Sequence, residues 1–163
     1  MIRRTVALLV VTLSSTLGAQ DRTTGAAPVP RHVDVQAISL LGDTLRTLPL
    51  SAAVRARYEQ QLADARRAYE HTPANLDSII WYARRLGYLG QLRESIDGDS
   101  FGLALHPDNP WLLRHRGHRY ISVRDFGAAV RDLERAAALV AGSPDVVEPD
   151  GQPNASGIPI GTL

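Results

Sequence analysis

Apolar positions along this chain fall into three textures. Val6 to Leu13 is a continuous apolar run, too short for a comfortable membrane span. Between Gln20 and His32 the pattern dissolves into Thr, Gly, Ala and Pro. Such a stretch reads as a flexible tether. Val33 to Leu50 is intermediate: "VQAISLLGDTL" has apolar spacing that suits a short helix, and Pro49 would end it. From Ser51 a period near 3.6 takes over. Val54, Tyr58, Leu62, Ala65 and Tyr69 fall on one helical face, in a segment rich in strong helix formers, with Pro73 just beyond it.

The pattern then repeats at an offset of 34. Pro73-Ala-Asn75 returns as Pro107-Asp-Asn109, Ala83 as Gly117, Leu86 as Tyr120 and Leu92 as Phe126. Ala68, Gly102 and Ala136 form a further series. A recurring unit of this length is the mark of a repeat architecture. Each unit reads as two antiparallel helices joined by a short turn. Small residues (Ala83 and Gly117 in the first helix, Ser95 and Ala129 in the second) mark the closest approach. Asn75 and Asn109 stand as N-caps, and Pro110 at the first helical position loses nothing by lacking an N–H. His71 and His106 fall near helix C-termini, where a positive charge is favourable. Asp97-Gly98-Asp99 interrupts the second helix of the first unit. The sequence therefore predicts fraying or bending there, and faster amide exchange over 94–106 than over 126–139.

These features resemble the tetratricopeptide repeat family, in which the unit is a 34-residue helix–turn–helix. The segment from Pro110 to Ser143 carries the resemblance best, through Gly117, Tyr120, Phe126, Ala129 and Ala136. Leu76 to Asn109 is a second match, with Ala83, Leu86, Gly90, Leu92 and Pro107. Ser51 to Asn75 resembles the second helix of a degenerate preceding unit. The departures are specific. Ile79 and Leu113 stand at the family's tryptophan position, and Tyr82 and Arg116 at its leucine before the small residue. The fold expected is all-α, an α-solenoid of antiparallel helix–turn–helix repeats. Residues 1–19 are expected to be a signal peptide, 20–50 a tether with a possible short helix, 51–143 the repeat domain and 144–163 an irregular Pro/Gly-rich tail. The tail lacks a polar closing helix, as a solenoid end requires. Either the chain is a fragment of a longer repeat protein, the favoured expectation, or the tail covers the exposed face itself. For function, the alternative to an interaction module is the N-terminal scaffold fragment of a larger repeat-containing enzyme or envelope assembly protein.

Composition narrows the function classes. There is no cysteine, which excludes disulfides, thiolate metal sites, cysteine nucleophiles and a lipoprotein anchor. All 18 basic side chains are arginine, a bias that lowers the weight of any one arginine cluster. Arg3-Arg4, the apolar run and Gly18-Ala19 form a cleavable secretory pattern, so the chain is expected to be exported to the periplasm or beyond. Formal charge is +1 for the whole chain and −1 without residues 1–19, neither of which points to nucleic acid.

The conspicuous cluster is "RHRGHR", Arg114 to Arg119. His115 and His118 lack a third ligand at helical spacing, so no metal is expected. Arg114, Arg116 and Arg119 do not share a face, and Asp125, Asp132 and Glu134 are near enough to pair with some of them. Asp97 and Asp99 lack the further oxygen ligands of a calcium loop. No nucleophile triad, phosphate loop or dinucleotide fingerprint is present, so no cofactor and no catalytic activity are expected. By the resemblance, the first helices line a concave groove that binds a peptide or partner helix. Its inward positions are Asp77, Ile80, Arg84, Gly87 and Tyr88, then Trp111, Arg114, His118, Ile121 and Ser122. Arg84, Tyr88, Trp111, Arg114, His118 and Ser122 are the expected partner-binding residues. They would take an acidic or C-terminal segment through arginine–carboxylate pairs and aromatic anchors.

Overall fold

The computed structural model describes residues 35–144. The proposed signal peptide, the first part of the tether and the tail beyond Pro144 lie outside these residues.

Five helices follow a short hairpin. They are α1 (Ala52–His71), α2 (Leu76–Tyr88), α3 (Leu92–Leu105), α4 (Pro110–Ser122) and α5 (Phe126–Val140). The repeat is visible in the boundaries. Helices α2 and α4 start and end 34 residues apart, and α3 and α5 start 34 apart. The fold is an α-solenoid of TPR-like antiparallel helix pairs, each helix packing on the next.

Local chemistry sets the boundaries. The side chains of Ser51, Asn75, Asn109 and Asp125 each accept a backbone N–H of the first turn of α1, α2, α4 and α5. Those bonds satisfy donors that a helix start otherwise leaves orphaned. His106 caps α3, and its Nε2 lies 2.9 Å from the Ala74 carbonyl oxygen of the preceding turn. The α2–α3 and α4–α5 turns both need a left-handed residue. Gly90 takes it at φ +77°, and Arg124, 34 residues on, takes it at φ 65°.

Small residues sit where the helices meet. Ala83 and Ser95 are fully buried, and the Ser95 hydroxyl donates to the Ala83 carbonyl at 2.7 Å. A Cβ on Gly98 would lie 3.2 Å from that of Ala83, and one on Gly117 only 2.8 Å from Leu133 Cγ. The apolar core has two clusters. Leu62, Leu86 and Leu89 join α1 to α2, with Tyr58 and Tyr82 against them. Ile79, Ile80 and Leu112 join α2 to α4, with Tyr69, Leu103 and Trp111 alongside.

Two expectations need correction. The possible short helix within 20–50 is a two-stranded antiparallel hairpin, β1 (Val35–Ile38) and β2 (Thr44–Arg46), with a bulge between Val35 and Ala37. Gly42 turns the loop at φ +88°, and the Ser39 hydroxyl accepts from the N–H groups of Leu41 and Asp43. A helix there would gain no apolar face, since Leu40 and Leu41 lie in solvent. The second correction concerns Asp97-Gly98-Asp99. Helix α3 runs unbroken through it, because Gly98 permits the close approach to Ala83 that a larger residue would obstruct.

Candidate functional site

The candidate surface is built on α2 and α4, with α3 beneath them. Arg84 projects from the middle of α2 and is 5% exposed. Its guanidinium carbon lies 4.6 Å from the Trp81 ring centroid, and its Nη2 donates to the Tyr88 hydroxyl at 3.2 Å. Arg114 on α4 is 4% exposed, with Nη2 3.5 Å from His115 Nε2. The two arginines therefore form the floor of this surface rather than its rim. Tyr88, His118 and Ser122 are half-buried. The Ser122 hydroxyl donates to the His118 carbonyl at 3.2 Å. Trp111 stands apart from them, packed on the Ile79–Ile80–Leu112 cluster.

Sequence reasoning missed three residues here. Arg119 lays its guanidinium over Gly87 of α2, where an added Cβ would come within 2.5 Å of Nε. Gly87 thus makes the room that lets a charged side chain cross between the first helices. Arg85 and Trp81 are the other two. Arg85 stacks on Trp81 at 4.8 Å and on Tyr88 at 5.4 Å, and donates to Gln61 Oε1 of α1 at 3.1 Å. The 34-residue offset could have found Arg85, since it is the counterpart of Arg119.

Beneath Arg84 and Arg119 lies Asp99 of α3, with no exposed surface and no hydrogen-bond partner for either carboxylate oxygen. Burial pushes its carboxyl up to about 8, against the pull of Arg119, Arg116 and Arg84, and Asp132 adds to the upward shift. Its protonated form is thereby favoured more than that of an exposed carboxyl. Arg119 is in turn held below the ordinary guanidinium value by burial. Arg116 has a different role. It grips Asp132 of α5 in a two-point pair, Nε–Oδ2 2.7 Å and Nη2–Oδ1 2.9 Å, and donates to Ser100 of α3 at 3.1 Å. The leucine position of the repeat is filled by an ion pair that joins three helices, and Asp132 is the acid that pairs with the cluster.

A second cavity, about 430 Å³, lies where the hairpin meets the ends of α2 and α4. Tyr88 and Ser122 reach it from the helices, and Arg46, Thr47 and Leu48 from the hairpin. Among the described residues, no three His, Cys, Asp or Glu side chains come together as metal ligands would. No helix among them is long and apolar enough to cross a membrane.

No family model matches this chain, and no curated protein matches it either. Five chains of solved structure do match. One is titled "MamA MSR-1 C2", from a TPR-containing protein. It superposes with a TM-score of 0.50 at 22% identity, over 56% of this chain and 52% of that one. The likeness is one of fold, and this chain spans about half the length of that structure.

Proposed function

We propose that the chain is a non-enzymatic protein-interaction module of the cell envelope, binding an acidic or C-terminal peptide segment across α2 and α4. The observation that carries this reading is the placement of Arg84 and Tyr88 on α2 and of Arg114, His118, Arg119 and Ser122 on α4, the two neighbouring first helices. The Asp99 carboxyl beneath Arg84 and Arg119 makes no hydrogen bond to either of them. Arginine is the side chain best suited to hold a carboxylate arriving from a ligand. Tyr88 supplies aromatic surface beside that charge, and His118 and Ser122 add polar contacts. Export follows from the basic, apolar and small-residue pattern of residues 1–19.

The test is a titration of the purified chain with acidic peptides carrying a free C-terminal carboxylate, against amidated copies. The free carboxylate is expected to bind tighter. The Arg114→Ala/His118→Ala variant is expected to weaken the best binder tenfold or more, and undiminished binding would remove the groove assignment. Fractionation of cells expressing the tagged chain tests the location; retention in the cytoplasm would remove that part of the proposal.

A further inference from the structure

The 34-residue offset makes a statement about a helix that is not there. Helix α1 stands in the register of a second helix, as α3 and α5 do. The first helix of its unit would occupy residues 42–54. Those positions hold Gly42, the strand Thr44–Arg46 and Pro49, so the chain has made a hairpin and a linker instead. The place left open is a cleft of about 430 Å³ between α1 and α2.

Both walls of the cleft match surfaces that are covered one repeat later. From α2 it is lined by Asp77, Trp81 and Arg85, spaced four residues apart. Their counterparts on α4 are Trp111, His115 and Arg119, and these lie against α2. Trp111 packs on the Ile79–Ile80–Leu112 cluster, His115 is buried, and Arg119 covers Gly87. From α1 the cleft is lined by Gln61, Asp64 and Ala68. Their counterparts are Ser95, Gly98 and Gly102. Ser95 and Gly98 rest on Ala83, in the first helix of their own unit, and Gly102 rests on Ile79 of that helix and Leu112 of the next.

Charge says what the occupant brings. Arg119 has the Asp99 carboxyl beside it. The counterpart of Asp99 is Ala65, and Arg85 meets Gln61, Trp81 and Tyr88. Burial depresses Arg85 and Arg84 adds to it, while Tyr88 and Tyr58, rather than a carboxylate, pull the other way. Of the two acids lining the cleft, Asp64 is engaged by Gln60 and Arg67 of its own helix, and Asp77 stands in the first turn of α2, two turns from Arg85.

We infer that this cleft is the seat of a short amphipathic helix supplied by a partner protein, about four turns long, with an acidic residue facing Arg85 and an apolar face on Trp81. The seat shares Trp81 and Arg85 with the surface across α2 and α4, but Arg114, His118 and Ser122 are not among its lining residues, and the inference does not depend on what those three bind. In the repeat register, α2 stands to α3 and α4 as the incoming helix stands to α1 and α2. Arg84 is the α2 position beside Arg119. The probe is therefore a fluorescein-labelled synthetic peptide of the α2 sequence, Leu76 to Leu89, with Arg84→Glu.

Anisotropy titration of the full chain is expected to give saturable binding with a Kd below about 1 mM. Arg85→Glu in the chain is expected to weaken it tenfold or more, Trp81→Ala likewise, and Arg114→Ala/His118→Ala to leave it unchanged. The peptide with native Arg84 is expected to bind the Arg85→Glu chain better than the native chain, a charge swap that damage to the fold cannot produce. No saturable binding, or binding indifferent to Arg85→Glu and Trp81→Ala, overturns the inference. So does a photo-crosslinker at Trp81 that captures residues 1–34 of the same chain, or a dimer that Arg85→Glu dissociates. Those outcomes assign the seat to the chain's own N-terminal segment or to a second copy.

Discussion

Asp99 is the residue whose chemistry reaches furthest. Arg119 and Arg116 from α4, Arg84 from α2 and Asp132 from α5 all act on it. Its folded-state carboxyl titrates at about 8, above the ordinary value of 3.8. Below about pH 4 the group is protonated in both folded and unfolded chains and contributes no slope. Between about 4 and 8 the unfolded chain has released its proton while the folded chain holds it, so stability falls as pH rises. Asn is nearly isosteric with the protonated acid and does not titrate. Asp99→Asn is therefore expected to match the native chain in thermal unfolding at pH 4 and to exceed it at pH 8. The gain is read as a rise in the unfolding midpoint, each kcal/mol raising it by roughly 4–8 °C. A variant less stable than the native chain at pH 8 would mean that an ionised Asp99 pairs with the arginines. None of this was legible in the sequence. Asp99 reads there as a polar defect in a helix, because local propensity cannot show that Gly98 brings α3 against α2. Arg116 was opaque for the same reason: its partners Asp132 and Ser100 are 16 residues away on either side.

Element boundaries were far more legible, because caps and turns are local chemistry. Asn75, Asn109 and Asp125 cap the helices as their positions imply. The hairpin was not legible, since "VQAISLLGDTL" satisfies a helical spacing and a loop-closing Gly equally well. Its anchorage is tertiary. Gln36 donates to the Thr47 hydroxyl at 2.7 Å, Arg93 of α3 donates to the Gln36 carbonyl, and Thr47 lies over Gly90. The repeat offers a reciprocal test at this level. Gly90 and Arg124 occupy the same left-handed turn position, which suits glycine and strains any other residue. Gly90→Ala is expected to destabilise by about 1–3 kcal/mol, because it combines that strain with a Cβ 2.2 Å from Thr47 Cγ2. Arg124→Gly is expected to be neutral to stabilising by roughly 0.5–1 kcal/mol, the released strain being offset by loss of the Phe126 contact. Urea unfolding of both variants checks the pair. Equal and opposite roles fail if Arg124→Gly destabilises as much as Gly90→Ala does.

At the scale of the whole molecule, stability in a solenoid is close to a sum of units and nearest-neighbour interfaces. Helices α2, α3 and α4 each pack against neighbours on two sides, whereas α1 packs on α2 and α5 on α4. The outer surface of α5 leaves Phe126 and Val130 about half exposed. The cleft beside α1 is the corresponding gap at the other end. Local opening should therefore cost least at the two outer helices and most in the middle. This reverses the expectation drawn from sequence alone, which placed the weak point at Asp97-Gly98-Asp99. In native-state hydrogen exchange, amides of 94–106 are expected to be slower than those of 126–139, and those of Ile79–Leu86 and Leu112–Gly117 slowest of all. Exchange in 126–139 as slow as in 94–106 would mean that something covers the free face of α5. Faster exchange in 94–106 would restore the helix defect, and Asp99 could then no longer be a sealed acid. One measurement thus tests the stability gradient and the burial of Asp99 together.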